Sequence, residues 1–260
     1  MKIILRATTL FGVILGLILL MSATVDARSR RRYRPVKVGQ FSGQTTTTGT
    51  RGFCEDSKTR LALTAIAPLS HTGQTSGNQP TLAWFVPGHP AKDAVSYKME
   101  LILLKETQAK TQPPRQVVWR NSQLQSKPGI MTFKLPNEVK LLPGERYIWQ
   151  IVLKCNPSLP SQNQVAEAPI QRVAAGSASD SANEEHWYDL WEGMDDASIQ
   201  SKLADVKPLI ADLIEIESQF LKDEPAPGSR SPQPQLVKAQ RDRLQQVLEA
   251  LEPVTHQDHR

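Results

Sequence analysis

The residues whose types could do chemistry are few in this chain, and their spacing suits it poorly. The five histidines are His71, His89, His186, His256 and His259. None lies in an HExxH or comparable spacing, which would set two imidazoles on one helical face to share a metal. His256 and His259 read as part of a frayed terminus. No Gly-x-Ser-x-Gly elbow, phosphate-binding loop or dinucleotide fingerprint occurs. The carboxylate pairs Glu184–Glu185 and Asp195–Asp196 read as charges near helix N-termini, not as an acid/base couple. Catalytic, cofactor-binding and metal-ligating residues are therefore expected to be none. An enzyme assembled from residues far apart in sequence stays open as an alternative.

Two cysteines remain, Cys54 and Cys155, in no CxxC or metal-type spacing. In an exported chain an even pair is most simply a disulfide. Closing a loop of that size would stabilise by about 4.7 kcal/mol in the chain-entropy account. The alternative is two buried free thiols, common in reduced cores.

The beginning of the sequence supports export. Lys2 and Arg6 precede an apolar run from Leu10 to Met21, and the small residues Ala23, Val25 and Ala27 follow. This is the pattern of a signal peptide over residues 1–27, with cleavage expected after Ala27. An uncleaved membrane anchor is the alternative, because residues 7–25 are uncharged and approach the length that spans a bilayer. Six basic residues follow within ten positions: Arg28, Arg30, Arg31, Arg32, Arg34 and Lys37. Such clusters tend to stay cytoplasmic, which pulls against export. They are also candidates for contact with an anionic surface. With the Thr/Gly-rich stretch after them they form a leader, residues 28–52, too poor in aliphatic side chains to order itself.

The elements that would position any site come next. Alternation is plain where Val95, Tyr97, Met99, Leu101 and Leu103 face one way, where Met131, Phe133 and Leu135 do, and where Tyr147, Trp149, Ile151, Leu153 and Cys155 do. The last run turns Cys155 toward the same side as Tyr147 and Trp149. Further strands are expected at 61–67, 81–86, 115–120 and 167–174, with Pro and Gly turns between them. Pro169 points to an edge strand or a late start for the last of these. Seven short strands at this spacing predict an antiparallel immunoglobulin- or fibronectin-like β-sandwich over residues 53–176.

The stretch "LLPGERY" resembles the Leu-x-Pro-Gly-x-x-Tyr turn of fibronectin type III-like domains, with Leu141, Pro143, Gly144 and Tyr147 in the pattern. The resemblance implies a tyrosine corner, in which the Tyr147 hydroxyl bonds nearby backbone. More broadly, "LALTAIAPLSHTG", "QPTLAWFVPG", "YKMELILLKE", "KPGIMTFKLP", "LLPGERYIWQIVLKCNPS" and "IQRVA" occur in an order similar to a cyanobacterial domain-of-unknown-function family, number 928. That likeness runs from about Cys54 to Ala175 and continues more loosely at "HWYDLWEGM". It implies an exported protein without an established activity, and it supplies no catalytic residues.

After residue 176 the period changes. His186–Met194 predicts one short helix with Trp187, Leu190 and Trp191 on a face. Ile199, Leu203, Val206, Leu209, Ile210, Leu213, Ile216 and Phe220 then recur at helical spacing, with Pro208 expected to kink or split the run. A Pro/Ser-rich linker, 223–234, leads to a last amphipathic helix carrying Leu236, Gln240, Leu244, Val247, Leu248 and Leu251, before a tail at 253–260. The two helical faces joined by a linker are expected to form an antiparallel hairpin packed on the sandwich or on each other, and the region 184–252 to be a separable subdomain that the sandwich does not need in order to fold.

Charge is segregated. Residues 51–176 carry 15 basic and 8 acidic side chains, and residues 183–224 carry 3 basic and 12 acidic. An acidic region in the same chain makes nucleic acid an unlikely partner. The expectation is therefore a non-enzymatic periplasmic binding or accessory module. It would hold an unidentified protein partner in the cell envelope through loops or an exposed edge strand. The alternative is an electrostatic tether to an anionic membrane or envelope polymer.

Overall fold

A computed structural model of the chain describes Cys54 and residues 61–88, 96–107, 115–156, 158–173, 186–195, 197–223 and 233–252. The expected signal peptide, the leader with Arg28, Arg30, Arg31, Arg32, Arg34 and Lys37, and the tail lie outside these residues.

The described residues hold eight strands and two α-helices: β1 Thr64–Ala65, β2 Gly73–Thr75, β3 Thr81–Val86, β4 Lys98–Glu106, β5 Arg115–Gln125, β6 Gly129–Lys134, β7 Arg146–Lys154, β8 Gln164–Arg172, α1 Leu203–Lys222 and α2 Pro234–Ala250. One sheet has the order β1-β3-β6 and the other β2-β8-β7-β4-β5. Two corrections to the expected seven antiparallel strands follow. The short β2 is an additional strand, and it pairs with β8 in parallel. Its Gly-Gln-Thr sequence is too short to show a period.

Alternation places the core as expected. Tyr147, Trp149, Ile151 and Leu153 are buried on one side of β7. Trp149 meets Trp84 of β3, in the other sheet, with ring centroids 6.4 Å apart. Residues of both sheets, of the 3₁₀ helix Trp187–Trp191 and of both α-helices join in a single apolar cluster. The helical region thus shares the core of the strands. Of the two expected packings of the helical hairpin, on the sandwich or on itself alone, the first is found.

The run 61–67 yields only two strand residues, because its backbone groups find side chains instead of a ladder. The Leu63 N–H donates to Gln164 Oε1 of β8 at 2.9 Å. The Ala65 carbonyl accepts from Gln240 Nε2 of α2 at 2.6 Å, and the Ile66 carbonyl from Trp187 Nε1 at 3.1 Å. Every buried amide needs such a partner, and here three elements supply them: β8, α2 and the 3₁₀ helix.

Two prolines depart from expectation. Pro169 lies in β8, which is flanked by β7 and β2 and is therefore not an edge strand. Its carbonyl accepts from the Tyr188 hydroxyl at 2.8 Å. In a strand a residue's N and O point to the same side, so the missing N–H costs the β7 ladder nothing. β2 begins its pairing only at Ile170. Pro208 neither splits nor ends α1. It lies near the N-terminal end on the exposed side, where water can satisfy the one carbonyl it frees.

Candidate functional site

The two cysteines form a disulfide with 4.9 Å between their Cα atoms. Cys155 follows β7 directly, and Cys54 is buried against the core. The bond ties the N-terminal end of the fold to the end of a central strand.

The predicted turn residues also come together. Gly144 has φ of +77°, a conformation open to glycine at little cost, and it follows Pro143 in a tight turn closed by a Glu145 N–H to Leu142 carbonyl bond of 3.2 Å. The Leu142 N–H donates to the Tyr147 hydroxyl at 3.1 Å. Leu141 and Tyr147 are buried. These four residues thus hold a turn and carry no reactive group aimed at solvent.

One grouping has the residue types of a hydrolytic site, and sequence reasoning missed it. Glu217 of α1 is fully buried. Its Oε1 accepts the Leu69 N–H at 2.8 Å and the Ser70 hydroxyl at 3.2 Å, and both its oxygens share the Ser70 N–H at 3.2 Å. Ser70 Oγ lies 3.0 Å from His71 Nδ1. In a nucleophile–base–acid relay the histidine stands between serine and carboxylate. Here the serine stands in the middle, itself buried. The grouping therefore fastens α1 to the 61–72 segment and is not a nucleophile. Burial pushes the Glu217 carboxyl up to about 7, against the pull of its bonds from Leu69 and Ser70. Burial lowers the His71 imidazole to about 4. The legible signal for Glu217 was its spacing: it continues the series Val206, Ile210 and Leu213 on the apolar stripe of the helix. Among the described residues, no three His, Cys, Asp or Glu side chains gather as a metal site.

The surface best suited to contact another molecule is β5. Its eleven residues, five more than expected, pair among the described residues only with β4, and they end the five-stranded sheet there. Val117 and Val118 stand 48% and 45% exposed side by side in the sequence. The cause is a bulge. Leu103 faces Trp119 and Leu104 faces Val117, so Val118 has no opposite residue. A second irregularity separates the Met99 and Leu101 pairings. Trp119 turns inward and stacks at 5.8 Å on Phe133 of β6, which anchors the strand from beneath.

Cations of β5 lean across the outer face of the sheet. Arg120 reaches Glu100 at 3.1 Å, where Lys154 also binds at 2.9 Å. The Lys154 bond leads the effects that hold the Glu100 carboxyl below its ordinary value. Arg115 reaches Glu167 at 3.3 Å, and burial raises that carboxyl. β5 itself carries no acidic residue.

Residues 46–189 match the family described as Domain of Unknown Function (DUF928), more than half of the chain. The chain belongs to this family. The DUF928 match takes in both cysteines, the Tyr147 turn and β5, and it closes at Asp189 within the 3₁₀ helix, so α1 and α2 lie beyond it. No curated protein and no solved structure matches the chain. No helix among the described residues is long and apolar enough to cross a membrane.

Proposed function

We propose that this DUF928 protein is a non-enzymatic, exported binding module that takes an extended segment of a protein partner as an added strand on β5. The observation that carries this reading is the edge of β5, unpaired among the described residues, where two adjacent valines lie exposed on a long strand anchored by Trp119. An unpaired edge offers a row of N–H and C=O groups to a second chain, and alternate side chains set the preference. With Val117 and Val118 exposed and both of its arginines paired to Glu100 and Glu167 of the same sheet, β5 suits a segment bearing small apolar side chains. The sheet orders β1-β3-β6 and β2-β8-β7-β4-β5 support a sandwich of the immunoglobulin and fibronectin kind, in which edge strands are natural contact sites. The disulfide supports an oxidising compartment such as the periplasm.

A photoreactive amino acid placed at Val118 of the full chain tests the reading. Cross-links are expected to fall on one extended segment of a partner in the cell envelope. They should vanish when Val117→Lys is added while the melting temperature is kept. Cross-links that persist in that variant, or that scatter without a common segment, would reject β5 as the site.

A second reading rests on the charge run of the leader. Arg28, Arg30, Arg31, Arg32, Arg34 and Lys37 would tether the protein to an anionic lipid or polymer surface. Each charge contributes on the order of 1 kcal/mol near such a membrane. Salt would release a tethered protein, whereas a strand-paired one would resist it.

A further inference from the structure

The outer face of the five-stranded sheet carries more cations at one end than its acids neutralise. Lys98 of β4 lies directly opposite Lys154 of β7, and on its other side opposite Gln125 of β5. Side chains opposed in this way start about 4.5–5.5 Å apart at Cβ, and like charges there repel. Two positions along β4, on the same face, stands Glu100. Its carboxylate takes Lys154 Nζ at 2.9 Å and Arg120 Nε at 3.1 Å, and it accepts the Ser122 hydroxyl at 3.1 Å. Lys98 is exposed and has no ion pair among the described residues.

The surplus belongs to this end alone. At the other end of the same face Arg115 meets Glu167 at 3.3 Å and Arg146 meets Glu106 at 3.5 Å, so cations and acids balance. Here three cations, Lys98, Lys154 and Arg120, face the single carboxylate of Glu100 and leave a net charge of +2. Donors outnumber acceptors as well, because an ammonium carries three N–H groups and a guanidinium five. Side-chain exposure is 36% for Lys154 and 54% for Arg120 but 11% for Glu100. An arriving anion thus meets the cations before the carboxylate.

We propose that Lys98, Lys154 and Arg120 form a binding site for a phosphate group, with Glu100 holding the Lys154 and Arg120 heads beside it. A phosphate monoester carries about two negative charges at neutral pH and three strong acceptor oxygens, which matches both the charge and the donors. One oxygen between Lys98 and Lys154 turns a repulsive pair into a shared contact, and the planar fork of Arg120 takes a second. A lone carboxylate would leave half of the surplus charge unmatched. Two sources share this chemistry: free inorganic phosphate and the monoester headgroup of a lipid. The site lies on the face of the sheet and uses neither the unpaired edge of β5 nor the leader.

Titration of the full chain with inorganic phosphate, followed by amide NMR at an ionic strength held constant with chloride, tests the site. Saturable shifts are expected at Lys98, Arg120 and Lys154. Lys98→Gln should weaken binding about tenfold or more, as for the loss of a hydrogen bond between charged partners. The variant relieves a like-charge contact, so without phosphate its melting temperature should not fall below that of wild type. Vesicles carrying phosphatidic acid then separate the two sources. A headgroup ligand makes wild type cosediment with them more than Lys98→Gln does, whereas equal cosedimentation assigns soluble phosphate. Either result, beside saturable phosphate binding, supports the site. Shifts that spread over the basic residues without saturating, or equal phosphate affinity in Lys98→Gln, would overturn it.

Discussion

The two edges of the five-stranded sheet are treated in opposite ways. β2 has three residues, all buried. The 3₁₀ helix lies against it: Tyr188 packs so closely on Gly73 that a Cβ there would stand 2.7 Å from the ring. Asp189 accepts the Thr75 hydroxyl at 2.7 Å and the Ser76 N–H at 3.0 Å. β5 has eleven residues, most of them exposed, and its defences are a bulge, a second irregularity and two arginines. A covered edge draws its stability from burial. An open edge is kept from indiscriminate pairing by local kinks and charge. Among the described residues, the same sheet thus covers one edge and leaves the other unpaired.

The comparison breaks most visibly at Trp187, a fully buried ring whose indole N–H holds the Ile66 carbonyl at 3.1 Å. Trp187→Ala should cost about 3–5 kcal/mol, seen as a lower denaturant midpoint, and cross-linking at Val118 should be unchanged in whatever fraction remains folded. A midpoint near wild type would mean that the covered edge does not depend on this cover.

A smaller loss is expected at the turn before β7, the strand that sits between the two edges. Tyr147→Phe removes the acceptor for the Leu142 N–H. Leu142 is half exposed, so water can reach the orphaned amide, and the cost should be about 1 kcal/mol, the low end for a broken bond. Chemical denaturation measures it. A loss beyond roughly 3 kcal/mol would show a hydroxyl role that the turn geometry does not contain.

The smallest expected change is at the open edge. Val118→Lys should shift stability by less than about 0.5 kcal/mol, because the side chain has no opposite residue and faces solvent. A drop as large as that of Trp187→Ala would show that β5 is covered in the intact protein, and the contrast between the edges would disappear.

Much of the strand pattern was legible because period-two burial leaves a mark in the sequence. β3, β6 and β7 fall within two residues of their expected ends. β5 ran past its expected limit because exposure on both faces erases the alternation there, as "NSQLQ" shows. β2 escaped because three residues carry no period. Glu217 escaped for a different reason. A carboxylate in an apolar stripe looks like an error of pattern until the two amides it serves are known, and those lie in a segment about 147 positions away.

Local physics, written in residue order, determined the strand-rich middle, the helical end, the Pro143–Gly144 turn and the inward direction of Cys155. Each depends on neighbours a few positions apart, on period, on φ preference or on the absence of an N–H. Tertiary structure alone decided that the helices would complete the strand core, that side chains of β8, α1 and α2 would stand in for a ladder along residues 61–72, and which edge would be left open. These depend on where polar backbone groups find partners once apolar faces are buried. That is settled by contacts between residues far apart in sequence, which no local pattern records.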